Sequence, residues 1–236
     1  MENKHVRITE QDLTRGRILL IDKPLEWTSF DVVNKIRSVL RKRFNRKKIK
    51  VGHGGTLDPL ATGLLIIGIG PATKILQTIQ NARKTYEGTL RLGARTPSYD
   101  AETEPSETFP YEHLTESDIL RVAKTFTGKQ RQLPPPFSAV RHRGKKLYEY
   151  ARKGEIPDDI KPREVEIFSF DILAVKLPEV YFRTEVSKGT YIRTLADDFG
   201  KKLDNGAYLT SLRRTAIGEL HLKNAVSLDQ WLRENI

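Results

Sequence analysis

Asp58 stands between glycines at 52, 54 and 55 and a Pro59…Gly63 turn, and the wholly apolar run Leu64–Ile69 follows at once. Glycines let a backbone approach a ligand closely and leave the carboxylate's surroundings free of bulk. The apolar run reads as a buried strand that would hold such a loop rigid. A carboxylate mounted in this way can attack a carbon or stabilise positive charge on one. His53, five residues earlier, lies in the same glycine-rich segment.

Blander readings compete. Asp-Pro is a good helix start, with Asp58 as N-cap, Pro59 in the first turn and Gly63 as the stop. That reading leaves the three glycines and His53 unaccounted for. No Gly-Lys-Ser/Thr ending is present, so the nucleotide P-loop pattern fails. Gly68-Ile69-Gly70 ends a strand, but Thr73 stands where a dinucleotide fingerprint wants a small residue.

The elements that must position this acid follow from periodicity and punctuation, and they predict an α+β fold. Ile18–Asp22 is a strand stopped by Lys23-Pro24. Thr28-x-x-Asp31 has capping-box spacing and opens a helix carrying Val32, Val33, Ile36, Val39 and Leu40. The basic tract Arg41–Lys50 is expected to be a loop. Thr85–Gly93 reads as a strand and Ala94–Pro110 as a loop. A helix spans Glu116–Phe126, capped by Thr115 or Ser117. Strands follow at Val165–Leu177 and Tyr181–Ser187. Ile192, Leu195, Ala196 and Phe199 mark one helix face, and a Ser227-to-Gln230 cap starts a last helix bearing Trp231. Without repeats or a linker, the expectation is one domain over residues 1–236 with one insertion over 128–163.

Charge restricts the partners. Lys and Arg number 41 against 30 Asp and Glu, a net charge of +11, which favours a polyanion through counterion release. The excess is clustered: Arg41–Lys50 holds seven positive charges, and Gly128–Arg163 holds ten against four acids. There is no cysteine, so disulfides and thiolate metal sites are excluded. The histidines (5, 53, 113, 142 and 221) lack ligand spacing, so no metal is expected. No run approaches the ~20 apolar residues of a membrane span, and the N-terminus lacks a signal peptide's apolar core. These features predict a cytoplasmic protein.

The segment GHGGTLDPLATGLLIIGIGPATK over Gly52–Lys74 closely resembles the signature of the TruB family of tRNA pseudouridine synthases. Further matches lie in order along the chain: Leu20–Pro24, Lys84-Thr85-Tyr86, Gln132–Tyr150, Ser187–Gly200 and Leu209–Arg214. The resemblance runs from about residue 18 to the C-terminus. It implies the pseudouridine-synthase fold, a largely antiparallel mixed sheet flanked by helices with a thumb-like insertion. The implied reaction is isomerisation of the T-loop uridine (position 55 in standard tRNA numbering), with no cofactor.

The resemblance makes Asp58 the nucleophile and Arg193 the cation that pairs with it. Tyr86 is implied as the ring that stacks on the target base and as a candidate for proton transfer. Tyr191 and Leu212 would line the base pocket, and His53 would help hold the flipped nucleotide. Lys23 with Pro24 stands beside the site, either at the substrate or as support. Ordinary roles compete with several of these: core packing for Tyr86, Tyr191 and Leu212, and solvation or a phosphate contact for Arg193.

Two departures stand out. Gly54 replaces the family's usual threonine after the histidine, and a compact form without the small C-terminal RNA-binding (PUA) domain common among bacterial relatives is expected. The 128–163 insertion, with Arg141, Lys145 and Lys146, is expected to act as an RNA-embracing thumb that compensates, and Arg41–Lys50 as a phosphate contact. The implied enzyme acts on the tRNA T-arm as a monomer, away from membranes. Two other classes stay open: a non-catalytic RNA-binding or RNA-folding protein on the same scaffold, and a guide-RNA-dependent synthase.

Overall fold

The computed structural model describes residues 6–236, so His5 lies outside the described residues. In chain order, α1 (Glu10–Arg15) leads into β1 (Arg17–Lys23), α2 (Ser29–Arg43), β2 (Val51–His53) and β3 (Ala61–Ile69). A 3-10 turn, Gly70–Ile75, opens α3 (Leu76–Asn81), followed by β4 (Lys84–Leu92) and the short strands β5 (Ala94–Arg95) and β6 (Glu107–Thr108). Next come α4 (Glu116–Lys124), β7 (Gly128–Gln132), β8 (Arg141–His142), β9 (Lys145–Lys146) and α5 (Leu147–Ala151). The chain closes with β10 (Arg163–Lys176), β11 (Glu179–Val186), α6 (Ile192–Lys202), β12 (Ala207–Ile217), β13 (Leu220–His221), β14 (Val226–Ser227) and α7 (Leu228–Asn235).

Two compact units result: residues up to Tyr86 together with Arg213–Ile236, and Glu87–Leu212. Strands β4 and β12 contribute residues to both. In the first unit the strand order is β14-β1-β3-β12, with β2 also on β3; β1 and β3 are antiparallel, and the short β14 is parallel to β1. Leu19, Ile21, Leu65, Ile67 and Ile69 pack with Val32, Ile36 and Leu40 of α2 and Trp231 of α7. The alternating residues Leu20, Leu64 and Ile66 pack with Leu76 of α3 and with Ile217. Both faces of β3 are therefore covered, which is why its sequence is apolar throughout rather than alternating. Asn235, fully buried, closes the unit: its Oδ1 accepts from Ile8 N and Arg43 Nη1, and its Nδ2 donates to the Val6 and Trp231 carbonyls.

In the second unit the order is β12-β4-β11-β10-β7, with α4 packed on β10 and α6 reaching β10 through Phe199 against Phe170. Phe126, Phe170, Phe182 and Phe199 form its aromatic core, with ring centroids 5.4–5.7 Å apart.

The fold is the expected α+β class, a largely antiparallel mixed sheet flanked by helices, and particular boundaries differ. The basic tract is not all loop: α2 continues through Arg43, because three cations in its last turn suit the negative end of the helix dipole. The Ala94–Pro110 stretch contains the two-residue ladder of β5 and β6. α1, opened by a Thr9–Asp12 capping box, is too short to show an apolar period. The 128–163 insertion starts as a sheet strand, since β7 pairs with β10 from Gly128↔Ile167 to Gln132↔Arg163.

Candidate active site

The loop between β2 and β3 carries Asp58. Gly54 N donates to Ile66 O at 2.8 Å, so the β2–β3 pairing extends one residue past His53. A Cβ at position 54 would meet Ile66, Leu76 and Ile79 carbons at 3.4–3.5 Å, ordinary van der Waals contact. Ala61 N donates to Asp58 O at 3.0 Å and closes a tight turn through Pro59 and Leu60. Asp58 opens this turn and no helix; its side chain is partly exposed.

Buried donors hold the loop from several directions. Arg214, 1 % exposed, donates from Nε to Leu64 O (2.8 Å), from Nη1 to Thr56 O (3.2 Å) and from Nη2 to Gly55 O (3.1 Å). One guanidinium thus joins β3 to two consecutive loop carbonyls, a task for its planar fork of donors. Gly63 has φ +101°, and a Cβ there would lie 2.8 Å from Arg214 N, so only glycine lets these strands approach. Ser29 Oγ accepts from Leu57 N at 2.8 Å and faces Leu57 O at 3.2 Å. Glu26 N donates to Pro59 O at 2.9 Å.

Lys23 is fully buried, with its ammonium on the carbonyls of Pro24 (2.8 Å), Trp27 (2.5 Å) and Pro59 (3.3 Å). Burial lowers its pKa to about 8, opposed by the Asp58 carboxylate, while the Arg214 cation adds to the lowering. These contacts place Lys23 as support under the loop.

His53 ends β2 half-buried, and burial holds its imidazole below the ordinary value. A backbone hydrogen bond with Gly55 opposes that lowering, and the Arg214 cation adds to it. Tyr86 lies on β4 and is 8 % exposed.

The other sequence-derived candidates belong to the second unit. Arg193, near the start of α6 and 5 % exposed, has Nε 3.6 Å from Asp100 Oδ2 and donates from Nη1 to Phe137 O (3.0 Å) and Ser98 O (3.3 Å). Tyr191 N donates to Gln132 Oε1 at 2.8 Å and Gln132 Nε2 returns a bond to Tyr191 O at 3.0 Å, fixing the start of α6 against β7. Leu212 is half-buried on β12.

Arg141, Lys145 and Lys146 come together in the β8–β9 hairpin, where Arg141 faces Lys146 across the ladder. Its turn has Arg143 at φ +46° and Gly144 at φ +85°. Lys146 and Arg152 lie 5.3 and 5.2 Å from the Tyr148 ring centre, interleaving cations with an aromatic face.

Sequence reasoning missed Arg214, Ser29 and Asp100. The signal for Arg214 was available: an arginine inside a strand otherwise destined for burial needs acceptors. Ser29 and Asp100 are joined to their partners by tertiary contacts that no local pattern marks.

An α+β core with a glycine-framed carboxylate loop and a basic inserted hairpin agrees with the pseudouridine-synthase type of protein that the sequence resembles. The pattern described as TruB family pseudouridylate synthase (N terminal domain) matches residues 41–192, and the chain belongs to that family. A Chloroherpeton thalassium protein named tRNA pseudouridine synthase B is 51% identical over 219 residues, covering 93% of this chain and 90% of the relative. One of the same name from Flavobacterium johnsoniae is 50% identical over 222 residues, covering 94% and 96%. Among solved structures, "Crystal Structure of a Cbf5-Nop10-Gar1 Complex" contains a chain with TM-score 0.72 and 29% identity, covering 96% of this chain and 56% of the other. Among the described residues, no helix is long and apolar enough to cross a membrane.

Proposed function

We propose that this chain isomerises uridine to pseudouridine at position 55 in the T-loop of tRNA, with Asp58 as nucleophile. The N1–C1′ bond breaks, the uracil turns over, C5 joins C1′ and gives up its proton, and N1 takes one up; atoms and oxidation level are conserved, so no cofactor takes part. Glycosidases need a second acid for a departing alkoxide. Uracil carries the developing negative charge itself, and one carboxylate suffices.

The target base must leave its stack before a side chain can reach C1′ or C5. Tyr86 stacks on the extruded base and its hydroxyl is the candidate for proton transfer, with Tyr191 and Leu212 lining the pocket and His53 holding the nucleotide. Arg193 pairs with Asp58 and orients the carboxylate. The 128–163 segment, with Arg141, Lys145 and Lys146 at its hairpin, serves as the thumb against T-arm phosphates. The protein works in the cytoplasm as a monomer.

One observation carries this reading. Asp58 sits on a loop whose backbone is held by Arg214, Lys23 and Ser29, in a chain about half identical to proteins named tRNA pseudouridine synthase B. The identity to those relatives, 51% against 29% for the Cbf5-containing complex, favours a stand-alone tRNA enzyme over a guided one. The test is tritium release from a T-arm hairpin carrying 5-tritiated uridine, using the purified protein alone. Wild type should release tritium, and Asp58→Asn should bind the hairpin and release none. Near-normal turnover by Asp58→Asn would remove Asp58 from the reaction, and inactivity of wild type on the hairpin without a guide RNA would favour a guided or non-catalytic role.

A further inference from the structure

Beside the loop, at the outer edge of β2, lies a groove of about 580 Å³ lined by Arg37, Lys50, His53, Thr73, Gln77 and Gln80, among others. That volume is in the range of small-ligand sites, and none of the described lining residues is acidic. Arg37 is fixed at one wall, donating from Nη1 to Asn34 Oδ1 (2.7 Å) and from Nη2 to Val51 O (2.8 Å). Those two bonds engage two of the guanidinium's five N–H donors. Lys50, exposed, lies one residue before β2.

The opposite wall is the α3 side. Thr73 comes from the 3-10 turn before α3, and Gln77 and Gln80, three apart on α3, share one face. Gln77 and Gln80 are exposed, and Gln80 Nε2 reaches the His53 carbonyl at 3.4 Å, so its amide lies along the groove toward His53. Ile49 and Leu76 add apolar surface, and Gly52 leaves the β2 floor without a side chain. A cationic end, an apolar side and a pair of carboxamides match the three parts of a nucleotide: phosphate, ring face and base edge. The groove begins at His53, five residues from Asp58, a chain distance of at most about 17 Å.

We infer that this groove binds a nucleotide flanking the target uridine in the RNA, its phosphate between Lys50 and Arg37 and its base edge read by Gln77 and Gln80. The inference rests on the RNA-modifying function proposed above and adds a second recognition site to it.

Dissociation constants decide it, measured with three T-arm hairpins: intact, abasic immediately 5′ of the target, and abasic immediately 3′ of it. The double variant Gln77→Ala/Gln80→Ala should bind the intact hairpin about tenfold more weakly than wild type, the scale of one base-edge contact. Wild type should lose a similar factor on one abasic hairpin, and on that hairpin the double variant should lose nothing more. Lys50→Glu should weaken all three and lower the salt slope by about one. Wild-type affinity of the double variant for the intact hairpin overturns the inference. So does a deficit that persists undiminished on both abasic hairpins. Binding is read apart from turnover, so a wild type that releases no tritium would strike the proposed reaction while the groove is still judged by these constants.

Discussion

At the scale of single residues, the candidate site is a problem of holding one acid still. Arg214 satisfies carbonyls at three positions with one buried cation. Lysine cannot reproduce that fork, so Arg214→Lys leaves buried carbonyls short of donors at about 1–3 kcal/mol each. We expect Arg214→Lys to lose about 2–4 kcal/mol in urea unfolding and to lower kcat at temperatures where it remains folded. Unchanged stability would mean that the loop is held without it.

Lys23 gives a pH signature at the same scale. Its pKa is lowered to about 8 in the folded protein against 10.5 for an unconstrained lysine. Between those values the unfolded chain binds more protons than the folded one, so the stability contributed by this group rises with pH from about 8 to about 10.5. Below about 8 the burial penalty is fully present. The difference in stability between wild type and Lys23→Met should therefore change across that window and be flat from pH 6 to 7.5. A flat difference throughout would contradict the lowered value.

Elements are decided by their ends. α4 begins with a complete capping box, in which Thr115 Oγ1 accepts from Asp118 N at 3.2 Å and donates to Asp118 Oδ2 at 2.6 Å. Thr115→Ala should cost about 1 kcal/mol. The Thr115 hydroxyl, helped by Arg121, holds the Asp118 carboxyl at about 2 against an ordinary 3.8. A carboxyl lowered on folding adds stability that is complete above the unfolded value and is lost as pH falls through the folded one. Acid titration of stability should therefore show a component between about pH 4 and 2 that Asp118→Asn removes. Thermal unfolding over pH 2–5 checks both variants.

For the whole molecule, the net charge of +11 sets the terms of binding to a polyanion. If the β8–β9 hairpin lies against phosphates, Arg141→Glu/Lys145→Glu/Lys146→Glu should weaken T-arm binding. It should also flatten the dependence of log Kd on log salt by about 0.7–0.9 for each phosphate that is no longer neutralised. An unchanged slope would locate the phosphate track elsewhere. Folding should tolerate the change, because Arg141 and Lys145 are exposed and Lys146 is only partly buried.

Local sequence determined which segments are strands and helices wherever an apolar period or a cap was present. The buried run of β3, the capping box of α2, the face of α6 and the Ser227 cap of α7 were legible because their signals lie within a few neighbouring residues. So was Asp58, framed by glycines that few other roles require. Tertiary structure alone decided what holds that acid. Arg214 is 156 positions away along the chain, Lys23 arrives from β1 and Ser29 from α2, and Asp100 meets Arg193 from a loop. The physical reason is that a buried cation or hydroxyl is satisfied by whatever acceptor the fold brings within about 3 Å, and hydrophobic periodicity carries no record of which one that will be.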